Sequence, residues 1–125
     1  MGKKEKLVRD GYVGLIEPSR LRIASEEEMS KLLREKYWEE FWEVQNARSD
    51  TEFLAELGDL AQVIMELEAR HADSWWHHWL FNVITRTHGV LNSSIDYYRH
   101  SKLGECGGFS QGLVFQLEAP ENNDE

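Results

Sequence analysis

The chain has 125 residues, 41% of them hydrophobic and 30% charged, a composition typical of one globular domain (1–125) rather than a disordered chain. Its formal net charge of −9 argues against binding a nucleic-acid polymer, and no apolar run approaches the roughly 20 residues of a membrane span. The single cysteine, Cys106, excludes an internal disulfide and the charged start lacks the apolar core of a signal peptide, so we expect a cytoplasmic protein.

The N-terminal part of the chain carries no long helical pattern. Residues 1–24 include Gly14 and Pro18, and we expect them to be extended and turned. The first helix is predicted to begin after Ser25, because a serine followed three residues later by Glu28 forms a capping box. Apolar side chains then recur at helical steps of three and four, at Met29, Leu32, Leu33, Tyr37, Phe41 and Val44.

Two acidic residues of this first helix are predicted to lie in or beside its apolar face. On a helical wheel Lys36 and Glu40 fall inside the apolar stripe, and Glu43 falls on its edge. Burying an unpaired carboxylate is costly, so Glu40 is expected to have a cationic partner. Either Lys36 or a metal ion could supply that charge.

A second helix is predicted after Ser49, where Glu52 completes another capping box. Glu56 borders its apolar face, and Asp59 lies one step further round. Because the link between the two helices is short, they are expected to form an antiparallel hairpin.

In such a hairpin two acid pairs can face each other: Glu40 with Glu43, and Glu56 with Asp59. Carboxylates that converge from neighbouring helices are a recurrent way to hold a divalent ion inside a bundle. Oxygen-only ligands suit Mg²⁺, with Mn²⁺ as a possible substitute, better than zinc. Spacing alone favours an ordinary solvated acidic face, and the inward placement of Glu40 makes that alternative and a metal site equal.

An aromatic-rich segment, residues 72–87, follows the second helix, which is expected to end near Arg70. Asp73 or Ser74 could cap a new helix there, although one uninterrupted long helix would also fit. We interpret the segment as a helix for packing or partner contact, because its histidines lack the spacing of a zinc site. Those histidines are His71, His77 and His78.

The remainder of the chain has simpler patterns. A further helix is predicted from Ser94 to about Lys102, and a possible short strand over residues 112–117, followed by a polar tail at 119–125. The expected fold class is therefore all-α, an antiparallel helical bundle with a possible short C-terminal strand.

Four segments resemble a known family. Glu39-Glu40-Phe41-Trp42-Glu43 followed by Glu56-Leu57-Gly58-Asp59 resembles the EExxE…ExxD signature of the all-α nucleotide pyrophosphohydrolases of the MazG superfamily. Its house-cleaning, phosphoribosyl-ATP-pyrophosphohydrolase-like branch is similar in three further places, which are the opening Lys6-Leu7-Val8-Arg9-Asp10, the lysine Lys36, and Lys102 followed by Gly107-Gly108-Phe109. Segment 72–87 looks like an insertion, and Cys106 stands where the branch has an arginine, which puts substrate and competence in doubt.

The resemblance implies Mg²⁺-dependent hydrolysis of a nucleoside triphosphate or related nucleotide to the monophosphate and pyrophosphate, in house-cleaning or nucleotide-pool control. The implied metal ligands are Glu40, Glu43, Glu56 and Asp59. Glu39 and Lys36 would be catalytic, Glu39 by orienting or deprotonating water. The implied substrate-binding residues are Arg9, Asp10, Lys102, Gly107 and Gly108, with Lys36 as a further phosphate contact. Arg9 and Asp10 could instead form a mutual surface ion pair.

Two alternative functions stay open: a phosphoribosyl-ATP pyrophosphohydrolase, and a catalytically weak nucleotide-binding or regulatory module. A homo-oligomer, dimer or tetramer, is expected to complete the bundle of the MazG type, because Trp38 and Trp42 lie opposite the apolar stripe of their helix. Alternatively, the aromatic segment could fold back over these two tryptophans within one chain.

Overall fold

The computed structural model describes residues 5–70 and 75–117, which contain four α-helices and three short strands. The helices are α1 (Glu26–Gln45), α2 (Asp50–Ala69), α3 (Trp75–Thr87) and α4 (Asn92–Cys106). The strands are β1 (Glu5–Leu7), β2 (Leu21–Ile23) and β3 (Leu113–Gln116), and two 3₁₀ helices lie at Asp10–Gly14 and Pro18–Arg20. Within the described residues, no helix has the length and apolar character needed to cross a membrane.

Both predicted helix starts are present, but only one capping box is complete. The Ser25 hydroxyl accepts from the Glu28 N–H, and the Glu28 carboxylate accepts from the Ser25 N–H. At the start of α2, Ser49 accepts from the Glu52 N–H, while the Glu52 carboxylate accepts from Arg48 instead. The second half of that predicted box is therefore wrong, because the link delivers a different N–H to the carboxylate.

Helices α1 and α2 form the predicted antiparallel hairpin, which is the centre of the core. Glu40 near the end of α1 lies beside Glu56 near the start of α2, as an antiparallel arrangement requires. The side chains that the two helices bury between themselves and their neighbours are mostly aliphatic. They include Met29, Leu33, Tyr37, Val44, Leu57, Leu60, Val63 and Leu67.

The all-α prediction is incomplete, because the chain also forms a three-stranded antiparallel sheet in the order β1-β3-β2. The predicted C-terminal strand is its centre, where Val114 pairs with Leu7 on one side and with Arg22 on the other. The two edge strands come from the segment expected to be extended. At three residues each they are too short for an alternating pattern to identify them.

Helix α2 ends at Ala69 with Arg70 as its C-cap, which confirms the helix end expected near Arg70 or His71, and the alternative of one long helix is wrong. The expected caps Asp73 and Ser74 lie outside the described residues, as do His71 and the tail at 119–125. His77 is buried against Tyr37, with ring centroids 4.5 Å apart, and His78 pairs with Glu68 at 3.0 Å.

Helix α3 covers the tryptophans of α1 only in part. Trp76 packs on Trp38 with ring centroids 5.4 Å apart, which is the folding back within one chain considered above. Trp42 nevertheless stays 63% exposed, and Trp75 and Trp79 of α3 are 70% and 60% exposed. Three tryptophans of α1 and α3 therefore remain mostly exposed in a single chain.

Gly58 allows α2 and α4 to approach closely, and this gives a first prediction. A β-carbon at Gly58 would lie 2.9 Å from the Arg99 backbone nitrogen and 3.2 Å from the Tyr98 carbonyl carbon. We expect Gly58→Ala to lower the free energy of unfolding by about 1–3 kcal/mol, because overpacking outweighs the higher helix propensity of alanine.

The matched control is Gly104→Ala in α4, where an added β-carbon meets nothing within 4 Å. That variant should gain about 0.5–1 kcal/mol from helix propensity alone. Urea unfolding measures both values. Equal stabilisation by the two alanines would contradict the close approach at Gly58.

Candidate metal centre

Three carboxylates from α1 and α2 meet in one cluster. Glu40, Glu56 and Asp59 each offer an oxygen, and these oxygens all lie within 4.8 Å of one another. Glu40 and Asp59 are buried, each only 8% exposed, so the solvated acidic face considered from the sequence does not apply to them. The i and i+3 spacing of Glu56 and Asp59 turns both side chains toward Glu40 across the hairpin.

Cations surround this cluster. Arg9, at the end of β1, places Nη2 2.6 Å from Oδ1 of Asp59. Lys36 lies 3.2 Å from Glu40 and 2.8 Å from Glu39, and both distances are to its Nζ. Two further lysines, which are less buried than Arg9 and Lys36, also lie beside these acids. Lys102 Nζ is 4.0 Å from Asp59 Oδ2, and Lys6 Nζ is 3.7 Å from Glu39 Oε1.

Burial and mutual repulsion change the protonation of the cluster. Burial, a hydrogen bond with Asp59 and the negative charges of Glu40, Asp59 and Glu43 raise the pKa of Glu56 to about 8. Burial also raises the pKa of Glu40, against the opposing effect of Lys36. Burial acts to lower the pKa of Lys36, but the charges of Glu40 and Glu39 outweigh it and the pKa rises. Burial first, and the neighbouring carboxylates second, therefore favour the protonated form of Glu56.

The raised pKa of Glu56 predicts how stability depends on pH. Glu56 in the folded state keeps a proton up to about pH 8, whereas its ordinary pKa is 4.5. Its contribution to stability is therefore complete below pH 4.5 and is lost as the pH rises through 8. We expect the Tm of the protein in chelator to fall over this interval, and Glu56→Gln to remove most of that fall. A Tm difference between wild type and Glu56→Gln that is constant with pH would contradict the assignment.

A divalent ion should reverse this loss. Carboxylate ligands bind a cation only when deprotonated, so the rise in Tm on adding Mg²⁺ or Mn²⁺ should grow between pH 6 and pH 8.5. At a concentration 100 times the dissociation constant the gain is about 2.7 kcal/mol. A Tm that does not change on adding millimolar Mg²⁺ or Mn²⁺ would contradict the metal centre.

Eight of the eleven site residues predicted from the sequence line one cavity of about 540 Å³ above the cluster. They are Arg9, Lys36, Glu39, Glu40, Glu43, Glu56, Asp59 and Lys102. Glu43, the fourth predicted ligand, is exposed and is not part of the three-carboxylate cluster, although its charge contributes to the pKa of Glu56. The metal and catalytic roles of these residues remain predictions.

The other three predicted residues, Asp10, Gly107 and Gly108, do not line the cavity. Asp10 accepts hydrogen bonds from the Ser110 hydroxyl and the Gln111 N–H, and Arg9 pairs with Asp59, so the alternative of an Arg9–Asp10 ion pair is wrong.

The two glycines form the turn behind Arg9. Gly107 has a φ of 76° and donates its N–H to the Leu103 carbonyl, and its own carbonyl accepts from Arg9 at 2.7 Å. A β-carbon at Gly108 would lie 3.0 Å from the Glu66 carboxylate. The Gly107 carbonyl binds Arg9, and neither glycine lines the cavity. The position of the two glycines therefore does not support their expected contact with an anion. Cys106, which ends α4, also lies outside the cavity lining.

Several cavity residues were absent from the sequence-based site. Lys6 and Phe109 belong to the matched segments but had no assigned role; the Phe109 ring lies 5.1 Å from the Arg9 guanidinium and 5.9 Å from Lys36 Nζ. The others are apolar residues of the N-terminal segment and of β3, namely Val8, Tyr12, Leu15, Ile16 and Phe115. One signal could have pointed to them: the N-terminal segment has apolar side chains although it shows no helical or strand pattern.

Comparison with known proteins returns no match: no protein-family model, no curated protein and no solved structure is similar to this chain. A function for this chain must therefore be argued from the residues and from the geometry around the cluster.

Proposed function

We propose that this chain is a Mg²⁺-dependent nucleotide pyrophosphohydrolase that cleaves a nucleoside triphosphate or related nucleotide to the monophosphate and pyrophosphate. One observation carries the proposal: a cluster of three carboxylates, two of them buried and one partly buried, opens into a cavity that four cationic side chains also line. Carboxylates alone would repel a polyphosphate, and cations alone would bind one without activating water. A site that combines the two suits a metal–polyphosphate substrate.

The cluster fits a hard divalent ion. Its donors are oxygens only and they come from two helices, and burial together with the neighbouring carboxylates raises the pKa of Glu56 to about 8. Glu40, Glu56 and Asp59 would hold Mg²⁺ or Mn²⁺, with Glu43 reaching in from the rim. The ion would neutralise polyphosphate charge and help to activate a water molecule.

The remaining charged residues would bind the phosphates of the substrate and orient the attacking water. Lys102 and Lys6, the more exposed cations, can reach phosphate oxygens without leaving a buried carboxylate unpaired. Lys36 holds Glu39 at 2.8 Å, so the Glu39 carboxylate is oriented at the cavity wall, where it can accept a proton from the attacking water. The bond that breaks joins the α and β phosphates, and pyrophosphate leaves with the bridging oxygen.

One observation favours the second candidate, a nucleotide-binding module with weak turnover. Asp59 is already neutralised by Arg9 at 2.6 Å, and an oxygen engaged in this way is a poorer ligand for a metal ion. A two-carboxylate site would bind the metal more weakly and would slow turnover without preventing nucleotide binding.

Pyrophosphate release across a panel of nucleotides separates these functions. The panel should contain the common ribo- and deoxyribonucleoside triphosphates, nucleotides with altered bases, and phosphoribosyl-ATP. We expect pyrophosphate, not inorganic phosphate, to appear only with Mg²⁺ or Mn²⁺ and to disappear with chelator. Binding of nucleotides without turnover would favour the module, and turnover of phosphoribosyl-ATP alone would assign the biosynthetic reaction.

A homo-oligomer is part of the same proposal. Trp42, Trp75 and Trp79 remain mostly exposed in one chain, and exposed tryptophans are typical of interfaces. We expect a dimer or tetramer at micromolar concentration, measured by light scattering during size exclusion. Trp42→Glu should shift it toward the monomer, whereas Leu91→Glu, at another exposed position, should not. A wild-type monomer at that concentration would reject the oligomer.

A further inference from the structure

A second group of charged and polar side chains joins α2 to α4, outside the lining of the cavity. Arg99 Nη1 donates to Gln62 Oε1 at 3.2 Å, and Gln62 Nε2 donates to Glu66 Oε2 at 3.1 Å. Arg70 Nη1 donates to the other carboxylate oxygen of Glu66, also at 3.1 Å. The Glu66 side chain is only 13% exposed, so these hydrogen bonds offset the unfavourable burial of its charge.

The Glu66 carboxylate also faces the stretch of chain that follows α4, which we name the 107–109 turn. Its Oε2 accepts from the Phe109 N–H at 3.4 Å, a distance longer than the roughly 2.7–3.2 Å of most such bonds. Gly108 lets the carboxylate come close, since a β-carbon there would lie 3.0 Å from the same oxygen. Glu66 therefore holds the 107–109 turn by one long hydrogen bond and by close packing.

The other side of the 107–109 turn fixes the position of Arg9. The Gly107 carbonyl accepts from Arg9 Nη1 at 2.7 Å, and the Phe109 ring lies 5.1 Å from the guanidinium. The second terminal nitrogen of the same guanidinium, Nη2, lies 2.6 Å from Asp59 Oδ1. A continuous series of contacts therefore runs from Glu66, through the 107–109 turn and Arg9, to Asp59 of the carboxylate cluster.

Arg9 competes with a metal ion for Asp59. A carboxylate oxygen that already accepts a charge-assisted hydrogen bond has less negative charge to offer a second cation, and the guanidinium itself repels a divalent ion. The metal affinity of the cluster therefore depends on how firmly the 107–109 turn holds Arg9 against Asp59.

We infer that Glu66 is a positioning residue that limits the metal affinity of the cluster, because it anchors the turn that holds Arg9 against Asp59. This inference rests on the proposed function and deepens it, since it assigns control of metal affinity to a residue outside the cavity. Arg9 acts as an internal counterion that the metal ion has to share or displace. The arrangement stabilises the metal-free fold at the expense of metal affinity.

The test measures the dissociation constant for Mn²⁺ alone by calorimetry, on metal-free protein at one fixed pH. We expect Glu66→Gln to bind Mn²⁺ more tightly than wild type, on the order of three- to tenfold. Glutamine keeps the length of the side chain, but its amide group brings donors to a position where three donors already converge. The 107–109 turn is then released, and Arg9 no longer holds Asp59.

The direction of this change separates positioning from a general loss of structure or charge. Removing the charge of Glu66 would by itself weaken the binding of a cation, and so would a loosened cluster. The matched control is Glu68→Gln, which removes the same charge from an exposed position of α2 that pairs with His78. That control should leave the Mn²⁺ affinity within about twofold of wild type, because solvent and salt screen an exposed charge.

A second comparison determines whether the effect passes through Arg9. Arg9→Met should bind Mn²⁺ at least as tightly as Glu66→Gln does. Adding Glu66→Gln to Arg9→Met should then change the affinity no more than Glu68→Gln changes it in wild type. Gly108→Ala is a milder variant, whose β-carbon would lie 3.0 Å from the Glu66 carboxylate and separate it from the turn. It should shift the affinity in the same direction as Glu66→Gln.

Weaker or unchanged Mn²⁺ binding in folded Glu66→Gln would overturn the inference, as would an equal gain in the Arg9→Met background. Failure of both Glu66→Gln and Gly108→Ala to fold, checked by circular dichroism, would also overturn it, because Glu66 would then support the whole fold. These results leave the hydrolase intact. The expected shift in Mn²⁺ affinity without any pyrophosphate release would reject the proposed function alone, whereas a wild type that binds no Mn²⁺ would reject both.

Discussion

Changing Glu40 to glutamine is expected to abolish Mg²⁺-dependent hydrolysis, with a loss on the order of 100-fold or more in kcat. Glu40 is the buried member of the cluster that α1 contributes, so its replacement removes the negative charge that faces Glu56 and Asp59 across the hairpin. Glutamine keeps the size and one carbonyl oxygen but loses the charge that binds a divalent ion. Metal affinity measured by calorimetry should fall in parallel.

The variant should stay folded, which makes the result interpretable. Lys36 keeps a partner in Glu39 at 2.8 Å, and removing one of several repelling carboxylates relieves strain in the ion-free cluster. Circular dichroism checks the fold, and the rise in Tm on adding Mg²⁺ should disappear. Glu27→Gln, at an exposed position in the first turn of the same helix, is the matched control and should change neither quantity. Unchanged turnover and unchanged metal affinity in a folded Glu40→Gln variant would refute the assignment of Glu40 to a metal centre.

The largest expected effect on stability is that of Arg9→Met. Arg9 is 4% exposed, pairs with Asp59, donates to the Gly107 carbonyl and lies over the Phe109 ring. Methionine of similar length leaves the Asp59 carboxylate buried beside two other acids, with only Lys102 at 4.0 Å to offset it. Removing one partner of a buried ion pair costs about 3–5 kcal/mol. Urea unfolding in chelator should show a loss of that size.

A double-mutant cycle shows whether the Arg9–Asp59 pair is the cause. Asp59→Asn on its own should cost less, because it also relieves repulsion within the cluster. In Arg9→Met with Asp59→Asn, about 1–3 kcal/mol of the loss should be recovered. Lys31→Met, which breaks an exposed pair with Glu35 at 3.9 Å, should cost less than about 1 kcal/mol. A loss in Arg9→Met no larger than in Lys31→Met would contradict the structural role of the buried pair.

The position of Arg9 also explains why the site could be predicted only in part. Its guanidinium was expected to contact substrate, which stays a prediction because Arg9 lines the cavity, but its ion pair at 2.6 Å with Asp59, 50 positions away in sequence, was not predicted. Asp10 beside it was expected to do the same and is bound to the loop after α4. Neither partner has a local signature, because pairing across the fold depends on how the sheet brings the two ends of the chain together.

The sequence by itself determined α1 and α2, their starts after Ser25 and Ser49, and the inward placement of Glu40 and Lys36, whereas α4 begins at Asn92 and ends at Cys106 instead of running from Ser94 to about Lys102. These features follow from interactions within a few residues, namely helical periodicity and N-terminal capping, and such patterns are visible in one segment at a time. Only the tertiary structure decided the features that join distant segments. The strands β1 and β2 exist because β3 lies between them, and the fold brings Tyr12 and Phe115, from opposite ends of the chain, into the lining of one cavity. Three-residue strands gain their hydrogen bonds and burial only after the chain has closed, so no local pattern records them.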